Sequence, residues 1–187
     1  MQVIHEQSNS PLVISIPHSG TDIPQDIAPL CNLAAKREHT DWALLELVAP
    51  LSETTLAASV SRYIVDVNRF KPRAGKAKQP IIPRIDEVGH QLFNNYPSKQ
   101  KQADWLEQYY TPYYLHLENL LNEKLEQHER VLLVDLHSYD DKLFNTSDII
   151  LGTRKKQTLN QDTLKQLQLL FHEEGLTTQV DTPFSGG

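Results

Sequence analysis

Apolar residues in this chain fall into short strand-like runs that alternate with stretches of helical spacing. Pro11 to Ile16 is a nearly continuous apolar and β-branched run, which predicts a buried strand ending in the tight loop Pro17-His18-Ser19-Gly20. From His39 to Leu51, Trp42, Leu44, Leu45, Leu47, Val48 and Leu51 recur at helical spacing, predicting an amphipathic helix that Thr40 and Asp41 open, with Asp41 in its first turn. Two further strands are predicted over Thr54 to Val60 and Tyr63 to Val67. Residues 70–98 carry Pro72, Pro80, Pro83 and Pro97 with Gly75 and Gly89, too many breakers for a regular element, so a long loop excursion with room for a small hairpin is expected. Ser98 to Glu129 has helical spacing (Trp105, Tyr109, Tyr113, Leu117, Leu120, Leu121, Leu125), but Pro112 must kink the helix or divide it. Val131 to Leu136 is the strongest strand signal, predicting a second buried strand, and ends at His137-Ser138-Tyr139. Asp148 to Gly152 predicts another strand, Gln161 to Glu174 a helix closed by Gly175, and Thr177 to Val180 a last strand. Strands alternating with helices imply an α/β protein whose largely parallel sheet is flanked by helices on both faces.

Length and charge narrow the class. A chain of 187 residues fits one soluble globular domain, 1–187, large enough to fold without a metal or disulfide staple, so any metal would serve chemistry. The apolar share of 39% is below the ~45–50% typical of soluble domains, so the core reads as incomplete. The net charge of −6 argues against nucleic acid as the main partner, and the basic stretch Lys71 to Lys78 reads as a solvated loop. No apolar run reaches the ~20 residues needed to span a bilayer, and Met1 to Ser10 is polar, without a signal-peptide core. A lone Cys31 cannot form an internal disulfide, in keeping with a reducing compartment, and the cytoplasm is the expected location. Nothing in the sequence speaks to oligomeric state.

The candidate chemistry gathers at strand ends. In open α/β sheets ligands bind outside the carboxyl ends of the strands, so His18 and His137, each just past such an end, could meet in one crevice. Two neutral imidazoles and one carboxylate form a common catalytic set for Zn²⁺ or another divalent transition metal, with a position left open for water. Asp41 is the nearest acid placed to be the third ligand; the plainer alternative is that either His hydrogen-bonds a loop carbonyl. Asp135, two residues before His137 on an extended strand, shares its face and could orient an imidazole, or be an ordinary strand-end acid. Ser19 and Ser138 suggest a serine nucleophile, but neither lies in a Gly-x-Ser-x-Gly turn. Arg62, Asn68 and Arg69 bracket the strand Tyr63 to Val67, and guanidinium forks grip carboxylates at two points, as a dicarboxylate substrate requires; a surface ion-pair set is the alternative. Ser185-Gly186-Gly187 has the look of a turn whose backbone approaches a ligand.

Taken together the motifs resemble the N-formylglutamate amidohydrolase family: Ser15-Ile-Pro-His-Ser-Gly20, Thr40-Asp-Trp42, Ser61-Arg-Tyr-Ile-Val-Asp-Val-Asn-Arg69, Asp135-Leu-His-Ser138, Leu151-Gly-Thr153 and Ser185-Gly-Gly187, in order, from about Leu12 to the last residue. The resemblance implies a three-layer α/β/α sandwich with a mostly parallel mixed sheet, similar to zinc-dependent exopeptidases. It implies hydrolysis of N-formyl-L-glutamate, a small acidic acyl-amino acid, to formate and glutamate in histidine breakdown. It implies metal binding by His18, Asp41 and His137, and carboxylate binding by Arg62, Asn68 and Arg69, with Ser185 and Gly186 at the substrate. Family members continue past the Gly-Gly turn to a strand bearing a Glu, so the general base is expected beyond Gly187 and the domain is expected to be incomplete at that end. The segment Lys71 to Tyr96 departs from the family pattern. A non-catalytic relative that binds metal or ligand, and a metallo-amidase for another acyl-amino acid or for peptidoglycan, are the rival readings.

Overall fold

The run that starts at Pro11 becomes an inner strand of a mixed sheet, and the site is built around its end. A computed structural model describes residues 2–4, 8–32, 40–70, 80–86, 89–140 and 147–186. They divide into two units, Met1–Ser138 and Tyr139–Gly187. In the first, strands β1 (Gln2–Ile4), β2 (Leu12–Ile16), β3 (Thr54–Ala57) and β4 (Leu132–Asp135) lie in the order β1-β3-β2-β4. β2 runs parallel to both neighbours and β1 is antiparallel to β3. Because side chains alternate across a strand, Ile14 and Ile16 share one face with Ala57, where they meet Leu44 and Val48 of the short helix α1 (Leu44–Val48). The opposite face carries Leu56, packed in a larger core with Tyr63, Ile64, Val65, Phe93, Trp105, Tyr113 and Leu120. Helices therefore cover both faces of this sheet.

Several expectations are corrected by tertiary contacts. The helix expected from His39 begins only at Leu44, because Ala43 takes a left-handed conformation (φ 60°) that separates Thr40, Asp41 and Trp42 from it. Asp41 is thus not in a first helical turn, and its backbone N–H instead donates to the His18 carbonyl at 3.1 Å. The helix is brief at its other end too, where Ala49–Leu51 tightens into a 3₁₀ turn around Pro50. His39 lies outside the described residues. Tyr63 to Val67 is not a strand: the segment is a buried, turn-rich loop whose apolar side chains fill the larger core, so burial and not sheet pairing accounts for its composition. β4 is not a buried strand either; it pairs with β2 alone among the described residues, and Leu132 and Leu133 are exposed.

Other expectations hold. Pro112 divides the long helix: α2 (Lys99–Trp105) passes through a π turn, Leu106–Tyr110, into α3 (Thr111–Gln127). Thr111 N–H reaches back five residues to the Leu106 carbonyl, so the π turn accommodates Pro112, which lacks an N–H, inside a continuous helical path. Within the excursion, Ile85 and Gln91 pair antiparallel across a small reversal, while Ile81, Ile82, Leu92 and Phe93 are buried in the core. The basic stretch Lys71 to Lys78 lies outside the described residues. In the second unit β5 (Ile149–Leu151) and β6 (Thr178–Val180) are parallel and joined through α4 (Gln161–Glu173), which Asn160 caps by accepting from Thr163 N–H and left-handed Gly175 follows. The protein is a mixed α/β fold with mostly parallel sheets. Among the described residues no helix is long and apolar enough to cross a membrane.

Candidate metal centre

β2 and β4 are parallel neighbours with Ser15 opposite Asp135, so their carboxyl ends emerge side by side. His18 and His137 follow those ends, and their rings lie 4.7 Å apart between centroids. The loop after β2 is held against the chain leaving β3: a Cβ at Gly20 would stand 2.4 Å from the Val60 carbonyl oxygen, so only glycine allows this approach. Asp41 closes the group from the segment before α1. Its Oδ2 is 2.9 Å from His137 Nδ1 and 3.8 Å from His18 Nδ1, and its Oδ1 accepts from Ser138 Oγ at 3.4 Å. One ligand atom each from His18, Asp41 and His137 lie within 4.8 Å of one another.

Each imidazole turns Nδ1 inward and has its Nε2 held by a carboxylate. His18 Nε2 is 2.8 Å from Asp66 Oδ1, and His137 Nε2 is 3.2 Å from Asp135 Oδ2, with the Asn68 amide 3.1 Å from the same nitrogen. Burial pushes the His18 pKa down despite Asp66 beside it, so the ring is neutral. Asp66 is also buried, which alone would raise its pKa, but the hydrogen bond from His18 and the charges of Arg62 and Arg69 hold it at about 2. An ionised Asp66 can only accept, so His18 carries its proton on Nε2 and presents a bare lone pair at Nδ1. For His137, burial works downward, but hydrogen bonds to Asp135 and Asp41 prevail and raise it to about 9. With an acid at each nitrogen, this ring is doubly protonated in the metal-free protein at neutral pH.

The chemistry of this donor set fits a divalent cation. The lone pair of His18 Nδ1 faces the Asp41 carboxylate with no proton between them, acceptor toward acceptor, an arrangement a cation would resolve. The carboxylates on both Nε2 atoms fix ring orientation and tautomer, as the outer partners of metal-bound histidines commonly do.

A second layer surrounds Asp66. Its Oδ2 accepts from Arg69 Nε at 3.1 Å and from Arg62 Nη2 at 3.5 Å, and its Oδ1 accepts in addition from the Asn68 backbone N–H at 3.0 Å. Tyr110 and Tyr114 pin this loop by donating to the Arg69 and Val67 carbonyls at 2.7 and 2.8 Å. On the other side Ser15 Oγ donates to Asp135 Oδ1 at 2.7 Å and lies 2.9 Å from the Tyr113 hydroxyl.

Comparison with known proteins decides the family. The N-formylglutamate amidohydrolase profile matches residues 10–187. The chain belongs to the N-formylglutamate amidohydrolase family. N-formylglutamate deformylases of Pseudomonas putida and Pseudomonas aeruginosa are each 30% identical to it, over 97% and 95% of this chain and 73% and 72% of theirs. The crystal structure of the N-formylglutamate amidohydrolase from Ralstonia eutropha superposes with a TM-score of 0.81 at 23% identity, covering 100% of this chain and 78% of that one. That of an Agrobacterium tumefaciens gene product gives 0.74 at 18%, covering 98% and 73%. These two likenesses establish the fold, and membership of the family makes the chain a hydrolase.

The structure of this family member brings together most of the residues singled out by sequence: His18, Asp41 and His137 as one group, with Asp135, Arg62, Asn68 and Arg69 around it. Ser19 donates to the Ile16 and Ala58 carbonyls at 3.3 Å, and Ser138 contacts Asp41; neither hydroxyl bonds an imidazole among the described contacts. Ser185 and Gly186 belong to the second unit, where Ser185 O accepts from Arg154 N–H and Gly186 lies against Gly152 too closely for a Cβ there. The partner of His18, Asp66, was not singled out by sequence as an orienting acid. Its signal was available in the spacing Arg62, Asp66, Arg69, a buried acid with cations four before and three after, once the segment is recognised as a turn and not a strand.

Proposed function

We propose that the chain hydrolyses the formyl amide of N-formyl-L-glutamate, giving formate and L-glutamate, with a divalent transition metal held by His18, Asp41 and His137. The observation that carries this reading is the convergence of those three ligand atoms within 4.8 Å in a member of this family, with two arginines on the Asp66 that holds His18. The substrate follows the names of the two Pseudomonas relatives. What the ion supplies when bound is Lewis acidity, polarising the formyl carbonyl and making water nucleophilic near neutral pH; zinc suits a set of two imidazoles and one carboxylate.

The chain's own residues do the rest. Asp66 and Asp135 hold the imidazoles so that both Nδ1 atoms point to one place. Arg62 and Arg69, with Asn68, meet the substrate carboxylates; Arg69 turns Nε to Asp66, which leaves the Nη end of its fork for a two-point grip. Fixed cations are needed because an acidic substrate approaches a protein of net charge −6. A lone Cys31 suits a reducing compartment, and we place the reaction in the cytoplasm, in the breakdown of histidine.

The experiment is to follow formate release from N-formyl-L-glutamate by the purified protein before and after chelation, and after adding zinc back. Activity that chelation abolishes and zinc restores is expected. Activity indifferent to chelation overturns the metal, and turnover of other acyl-amino acids with none of formylglutamate overturns the substrate.

A further inference from the structure

The two halves of the proposed site, ligands on one side and cations on the other, share a single carboxylate. Asp66 is 3% exposed and accepts four hydrogen bonds: Oδ1 from His18 Nε2 and the Asn68 N–H, Oδ2 from Arg69 Nε and Arg62 Nη2. A buried carboxylate with this many donors is rigid, since moving either oxygen breaks a bond that no water replaces. The two oxygens are about 2.2 Å apart on one planar group, so a tilt that releases the arginines also swings His18.

We propose that Asp66 is a positioning residue common to both halves of the site. Through Oδ1 it locks His18 in the tautomer that turns the Nδ1 lone pair to the ion, and through Oδ2 it sets the angle at which Arg62 and Arg69 meet the substrate. The inference rests on the metallo-hydrolase reading above and adds the residue that ties ion binding to substrate discrimination. Asn68 contributes from the same loop: its N–H holds Asp66 Oδ1 while its amide sits 3.1 Å from His137 Nε2, so the loop spans both imidazoles.

Asp66→Asn keeps the shape of the side chain but removes its charge and half its accepting capacity. Zinc affinity, measured by chelator competition, should fall about 10–100-fold, the range seen when outer partners of metal ligands are replaced. At saturating zinc, KM for N-formyl-L-glutamate should rise more than KM for N-formyl-L-glutamine, which has the same shape without the side-chain charge. Unchanged zinc affinity overturns the positioning role, and a loss of zinc affinity with the KM ratio intact overturns the sharing. A second measurement needs no variant: ¹⁵N resonances of the histidine rings in metal-free wild-type protein should show His18 protonated at Nε2 and bare at Nδ1. The opposite tautomer overturns the proposal even if Asp66→Asn fails to fold. A wild-type protein that binds no zinc and releases no formate would sink the metallo-hydrolase reading instead, while the ring spectrum would still decide the hold of Asp66 on His18.

Discussion

The His18 and His137 arms of the site are built alike and surrounded differently. Each imidazole points Nδ1 at Asp41 and gives Nε2 to an acid, but the His18 and Asp66 side chains are 6% and 4% exposed whereas those of His137 and Asp135 are 32% and 36% exposed. Burial keeps His18 neutral, with its lone pair ready for an ion; two acids keep His137 charged, so it must give up a proton before it can ligate. The buried arm is preformed and tied into the core, and the exposed arm answers to solvent conditions. Similar hydrogen bonds thus have different consequences according to how much water surrounds them.

Removing each imidazole separates the two arms most sharply. Both His18→Ala and His137→Ala should abolish stoichiometric metal and bring hydrolysis to background, since two protein ligands do not hold a catalytic ion well. Stability should diverge with pH. His18→Ala strips a donor from buried Asp66 and should cost about 1–3 kcal/mol, read as a fall of roughly 2–4 °C in Tm per kcal/mol for a chain of this size. His137→Ala strips a donor from buried Asp41 and should also cost about 1–3 kcal/mol at pH 7, but that loss should fade as pH rises through about 9, whereas the His18→Ala loss should not. Metal content and thermal unfolding of the metal-free variants at pH 7 and above pH 9 check both, and equal losses of Tm at both pH values would erase the distinction.

Acidity distinguishes the arms next. The pKa of His137 is raised to about 9, so its bonds to Asp41 and Asp135 stabilise the metal-free fold fully below about pH 6.5, its ordinary pKa, and are lost as pH rises through about 9. Zinc competes with that proton, so its affinity should climb about tenfold per pH unit between 7 and 9. His18 contributes nothing to this slope, being neutral throughout. Zinc titrations at pH 7, 8 and 9 measure it. A flat affinity would mean that His137 is already neutral and that the two arms are electrostatically equal.

What could be read in the sequence follows from how local the determinants are. Strands β2, β3 and β4 and helices α3 and α4 announce themselves through side-chain periodicity. The placing of His18 and His137 past neighbouring strand ends follows from the general habit of parallel sheets. Tyr63 to Val67 was misleading because a buried loop and a buried strand select the same β-branched and aromatic residues, and only pairing tells them apart. Helical spacing alone does not place Asp41: it is brought to the imidazoles by a left-handed Ala43 and a backbone bond to His18, neither of which leaves a periodic trace. Asp66 escaped because its role depends on that same loop. Ser15 and Tyr113 escaped because their contact joins β2 to α3, a pairing of distant segments that composition cannot reveal.

The smallest expected effects come from the π turn and the start of α3, which support the two arms through the hydroxyls of Tyr110 and Tyr113. Tyr110 donates to the Arg69 carbonyl, on the loop of the buried arm. Tyr113 meets Ser15 on the exposed arm, and since the single proton of Ser15 goes to Asp135, Tyr113 must donate to Ser15; burial raises its pKa, so it keeps that proton. Each hydroxyl is worth about 0.5–1.5 kcal/mol as a hydrogen bond, only part of which reaches the site. Tyr110→Phe should therefore raise KM for formylglutamate about two- to threefold and leave zinc affinity alone, because Asp66 keeps its other donors. Tyr113→Phe should do the reverse, weakening zinc about two- to threefold through Ser15, Asp135 and His137 with little change in KM at saturating metal. Zinc competition and steady-state kinetics on the two variants decide the matter. If both shift the same quantity, the π turn and α3 act on the site as one rigid support and the two arms are not separately held.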